Sequence, residues 1–119
     1  MRRDMELVRA IMLNVESGDL NVGVDGYDAG AVNYHKALLI EAGLLEGKPH
    51  YPMSTAAIDV PDGVKIKRMT WQGHDFIGAI RTDTKWGKVK RFLAEAGKDL
   101  TIESIKFAAG QLFGFAGGS

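Results

Sequence analysis

Two short sets of cations are the residues of this 119-residue chain best placed for chemistry with a partner. Lys65 and Lys67 alternate with Val64 and Ile66, with Arg68 following, as in a strand that turns its charges outward. Lys85, Lys88 and Arg91 recur every three residues and form one stripe of a helix, while Trp86, Val89, Leu93 and Ala96 form another. Rows of this kind contact phosphates, which position a protein on nucleic acid without reading its sequence. Base readout in the major groove needs Arg, Lys, Asn or Gln. On the outward face expected for residues 28–42, only Asn33 and Lys36 qualify, and Glu41 on the flank repels phosphate. Either row of cations alone also reads as an ordinary solvated face.

Catalysis has a thinner basis. His35, His50 and His74 form no His-x-x-x-His pair, and the chain has no phosphate-cradling glycine loop and no nucleophile elbow. His74 and Asp75 are helix neighbours and diverge by about 100°. Cysteine is absent, which removes disulfides, thiolate metal sites and cysteine nucleophiles together. The sequence therefore predicts no catalytic residue, no metal, no cofactor and no enzymatic activity. His35 lies on the core-facing edge of its helix and His74 beside Trp71 and Phe76, and both read as hydrogen-bonded packing residues. Trp71 and Trp86 read as core, with exposed binding anchors as the alternative.

The elements that must position these groups are visible as periodicity and punctuation. Leu7, Val8, Ile11, Met12 and Val15 make Asp4–Ser17 an amphipathic helix with Arg9 and Glu16 facing out, stopped by Gly18. Asn21–Gly26 alternates and reads as an edge strand or an extended turn. Asp28 caps a helix over 28–42, in which Val32, Leu38, Leu39 and Ala42 gather on one side. Gly43 closes it, with Leu44 folding back on Leu39. A strand follows over 44–46, then a proline-bearing loop over 47–63 and a strand over 64–69. Thr70 caps a helix with Trp71, Phe76, Ile77 and Ile80, within which Gly73 and Gly78 point to close helix–helix approach. Further helices run over 85–96 and 101–113, and the tail through Gly117, Gly118 and Ser119 is expected to fray. Leu39, Leu44, Ile77 and Trp71 should share one buried cluster.

Composition sets the frame. Fifteen basic and fifteen acidic residues balance, with 45% hydrophobic and 25% charged content, as in an ordinary globular protein. Residues 1–27 carry three basic and five acidic side chains, whereas 70–98 carry six and three, so the later part is the electropositive one. No apolar run approaches the roughly 18 residues of a membrane span, and the start goes directly into helical periodicity. No membrane association, no signal peptide and a cytoplasmic setting are expected.

Several motifs also resemble a known family. Arg3-Asp4-Met5 at the start, Tyr34-His35 in the central helix, Ala42-Gly43-Leu44 at its end, Thr70-Trp71-x-Gly73-His74 and the later Trp86 are similar to the domain-of-unknown-function family DUF2513 of small bacterial and phage proteins. The similarity covers most of residues 1–90, with Met69 in place of the family's usual leucine. It implies a winged-helix-like fold and no particular activity.

These readings converge on an α+β fold: a winged helix-turn-helix core over 1–98 with additional C-terminal helices, and 99–119 as a last helix and tail. Two functions stay open. One is a small regulatory protein that binds double-stranded DNA through Asn33, Lys36, Lys65, Lys67, Arg68, Lys85, Lys88 and Arg91. The other is a protein-interaction module on the same scaffold. The wide apolar face of the last helix predicts a homodimer through Ile102, Ile105, Ala109, Leu112 and Phe113. The alternative is that this helix folds back onto Leu7, Ile11 and Val15.

Overall fold

Each helix begins at a polar side chain that accepts a hydrogen bond from the backbone of the first turn. Asp4 receives Glu6 and Leu7 at the start of α1 (Met5–Glu16), and Asp28 receives Ala31 at the start of α2 (Ala29–Glu41). Thr70, Thr82 and Thr101 do the same for α3 (Trp71–Ile80), α4 (Asp83–Glu95) and α5 (Ile102–Phe113). At α5 the Ser104 hydroxyl also accepts from the Thr101 N–H, which completes a capping box. The computed structural model describes residues 2–53 and 60–114, and among them these five helices join one two-stranded antiparallel sheet in an α+β fold.

The end of α2 sets the direction of the chain into that sheet. Gly43 takes a φ of 78°, and its N–H and that of Leu44 return to the carbonyls of Ile40 and Leu39 at 3.0 Å each. This is a Schellman stop, and it delivers Leu44 directly to β1 (Leu45–His50), which pairs with β2 (Gly63–Met69). β1 therefore runs four residues into the segment expected to be loop, and β2 takes Gly63 from its other end. Residues 54–59 of that loop, and the tail from Phe115, lie outside the described residues. Residues 21–26 join no strand, with turns at Asn21 and at Asp25–Gly26 on either side of an irregular stretch, so the edge-strand alternative falls.

One core joins all seven elements. Leu7, Ile11 and Met12 of α1 meet Leu39, Leu44, Leu45, Phe76, Ile77, Ile80, Val89, Leu93 and Ile105, each nearly inaccessible. Polar contacts clasp α1 to α3 and α4. Arg9, expected to face outward, donates to the carbonyls of Ile80 and Arg81 at 2.8 Å each and so closes the end of α3. Glu6 accepts from the Trp86 indole and from Lys90, each at 2.9 Å, while Glu16 holds Arg81 through two hydrogen bonds.

Three expectations need correction. Trp71 is 82% exposed and outside the core, whereas Trp86 is buried. The reason is the rotation of α3: Gly73 faces inward, where an added Cβ would stand 2.1 Å from the Leu44 carbonyl oxygen. Two residues back along a helix is about 200° around the axis, so Trp71 points outward. Gly73 thus serves approach to the turn before β1 rather than to another helix. The phase of α2 also differs, because Lys36 and Ala37 are buried while Ala42 is exposed and Leu38 half-buried. Finally, α5 packs on α4 and α3. It folds back within the chain, though not chiefly onto α1, and buries Ile105, Ala108 and Ala109 in the common core.

Candidate nucleic-acid interface

The hairpin gathers the first row of cations more densely than the sequence suggested. Register pairs Leu45 with Met69, Glu46 with Arg68, Gly47 with Ile66 and Lys48 with Lys65. Lys67 is left over as the extra residue of a β-bulge. Gly47, paired with Ile66 next to the bulge, has no room for a side chain, since a Cβ would sit 2.4 Å from the Lys65 carbonyl oxygen. Leu45, Ile66 and Met69 are buried on the inner face, and the outer face carries Lys48, Lys65, Lys67 and Arg68. Four cations thus share one face of a ribbon.

Their electrostatic states differ. Glu46 holds Arg68 at 3.0 Å and Lys67 at 3.6 Å, so one carboxylate partly neutralises two cations. His50 is paired with Asp62 at 2.6 Å near the ribbon tip. Lys48 and Lys65 stand directly opposite each other, both exposed, and take part in no ion pair among the described residues. Like charges placed this way destabilise a sheet. Sequence reasoning missed Lys48 because it fell in the presumed loop, and only the longer β1 brings it opposite Lys65.

The second row is present as expected. Lys85, Lys88 and Arg91 are exposed on α4, with the Lys85 ammonium 5.4 Å from the centre of the Phe113 ring. No ion pair engages these three among the described residues. α3 packs against both β2 and α4, the two elements that carry the rows.

The central helix offers little. Lys36 is 6% exposed, and its ammonium donates to the Leu20 carbonyl at 3.2 Å. Burial lowers its pKa. Lys36 is therefore withdrawn as a contact residue: the turn at Leu20 covers it. Asn33 is half-buried and Glu41 exposed on the same helix.

His35 and Asp4 belong to a structural knot. His35 is buried, its Nδ1 lies 2.8 Å from the Ala31 carbonyl, and its Nε2 accepts the Asp4 N–H at 2.9 Å. The Tyr27 hydroxyl donates to the Asp4 carboxylate at 2.8 Å. Partial burial pushes the Asp4 pKa up, but Tyr27 and the N–H groups of Leu7 and Glu6 outweigh it and hold the carboxyl below its ordinary value. The same bond raises the Tyr27 pKa. The knot ties the start of α1 to α2 and the turn before it. His74, expected to be packed, is exposed.

Of the residues expected at a dimer interface, Ile105 and Ala109 are sealed inside the chain and are withdrawn. Ile102 and Phe113 are half-buried, and Leu112 is exposed. Among the described residues, no helix is long and apolar enough to cross a membrane.

Fold and surface together define a small α+β protein that presents a basic two-stranded ribbon. It belongs to the family described as hypothetical protein (DUF2513), whose model matches residues 2–99. The chain is also similar to an uncharacterized protein of Haemophilus influenzae, 32% identical in an alignment 115 positions long that covers 92% of each chain. No solved structure matches it significantly. α5 lies beyond the family match, yet contributes Ile105, Ala108 and Ala109 to the core.

Proposed function

We propose that the protein is a small DNA-binding regulator of winged-helix type that grips the phosphate backbone with its hairpin rather than with α2. The observation that carries this reading is the Lys48–Lys65 pair: two exposed like charges directly across the ribbon, with no carboxylate partner among the described residues. Such a pair costs stability in the free protein and is relieved by a polyanion. The succession α1, α2, glycine stop and hairpin is compatible with a winged helix, in which the ribbon is the wing. Asn33 contributes at most a single base contact, so binding is expected to be weakly sequence-specific. A cytoplasmic setting goes with this reading.

A gel-shift series against random duplex tests it. With up to four ribbon cations on phosphates, log affinity should fall against log salt with a slope of about −3 to −4. A fourfold rise in salt then weakens binding on the order of a hundredfold. Charge reversal of Lys48 and Lys65 should weaken binding to all sequences alike. Absence of any retardation at low salt rejects the reading. It would promote a protein-interaction module instead, which the exposed Phe107 and Leu112 of α5 favour.

A further inference from the structure

We propose that the strand held by the hairpin is recognised where its bases are unpaired, one of them stacking on Trp71; this rests on the hairpin reading above. Trp71 is the first residue of α3, three residues after Arg68, and is 82% exposed. Its Cα lies at most about 11 Å from that of Arg68 along the chain. An indole is ordinarily covered in a folded monomer. Here its position is fixed from both sides. Thr70 donates its hydroxyl hydrogen to the Gly43 carbonyl at 2.6 Å and caps α3 through Gly73, and Gly73 is pressed against Leu44 and Met69. The ring is held outward by the frame of the helix.

The ligand follows from what is exposed on the hairpin and at the start of α3. Lys48, Lys65, Lys67 and Arg68 offer charge for a phosphate backbone, and Trp71 offers a flat π surface. Duplex readout would need donors on α2, where Lys36 is buried, Asn33 is half-buried and Glu41 repels. Cations combined with an aromatic platform are the requirements of a single strand, whose phosphates track the charge while its bases stack. A protein partner also values an exposed tryptophan, but to meet the lysines that have no ion pair among the described residues it must bring carboxylates as well, whereas a nucleic-acid strand carries both charge and stacking bases in every unit. Glu46 on the ribbon and Asp75, one turn further along α3 and exposed, are carboxylates that work against the contact.

The chain reports on itself, because it has two tryptophans and Trp86 is buried against Glu6. The full chain is titrated with a labelled oligo-thymidine strand and with a blunt duplex of equal length, following tryptophan emission and label anisotropy. The expected result is quenching of Trp71 by the strand and not by the duplex. Trp71→Ala should lose roughly five- to a hundredfold in affinity for the strand, Trp71→Phe should keep most of it, and both should bind duplex as before. Remaining emission from Trp86 in each variant verifies the fold. Strand binding without quenching, or equal strand affinity in Trp71→Ala with duplex binding intact, overturns the stacking proposal and leaves the hairpin reading standing. Failure to bind either nucleic acid at low salt overturns both.

Discussion

Lys36 and Trp71 exchange the roles their residue types suggest, and both exchanges have a local cause. α2 is apolar around much of its circumference, through Ala29, Val32, Ala37, Leu38, Leu39 and Ile40, so its sequence does not fix which side is buried. The turn at Leu20 settles the matter by covering Lys36 and accepting its hydrogen bond. Replacing the lysine with methionine removes a buried ammonium while keeping its length. Lys36→Met should leave the melting temperature unchanged or raised and nucleic-acid binding untouched; a fall of several degrees or a weaker gel shift would count against this account. Asp4 is the opposite case. It caps α1, accepts the Tyr27 hydroxyl, and sits beside the N–H that His35 accepts. Asp4→Ala should cost about 1–2 kcal/mol, read from denaturant unfolding at pH 7.

Among the elements, those set by local rules were legible and those set by contact were not. Asp28, Thr70 and Gly43 announce their caps within a few residues, and helix limits follow to within a residue or two. The length of β1 depends on β2, which lies across the hairpin, so Gly47–His50 read as loop and Lys48 was missed. The rotation of α3 depends on Gly73 meeting Leu44. This makes glycines a sensitive test. Gly73→Ala should destabilise despite a helix-propensity gain of about 1 kcal/mol, because its Cβ meets backbone at 2.1 Å. Gly87→Ala lies within α4 with nothing inside 4 Å and should stabilise by about 1 kcal/mol. Thermal melts of the two variants should move in opposite directions. If Gly73→Ala is neutral, the close approach is wrong.

At the scale of the molecule, carboxylates bind the helices into one body. Burial raises the Glu6 pKa, but hydrogen bonds from Lys90 and Trp86 outweigh it; Arg81 lowers that of Glu16. With Asp4, three carboxyls titrate lower in the folded chain than in the unfolded one. Their contribution is full above the ordinary values, 3.8 for Asp4 and 4.5 for the glutamates. It is lost as pH falls through the lower folded-state values, because the unfolded chain then binds more protons. Urea midpoints should therefore decline below about pH 4.5, and Glu16→Gln should flatten the decline. The sheet has a second consequence for the whole chain. Among the described residues the sheet has two strands, so each is an edge strand, the kind of element that can pair with another chain. Pro49 lacks a donor, the bulge twists the ribbon, and the facing lysines repel a second ribbon of the same kind. The charges that suit a polyanion thus also keep copies of the protein apart. Replacing Lys48 and Lys65 with valine would remove that repulsion and invite strand-to-strand fibres, whereas glutamates would keep the protein dispersed.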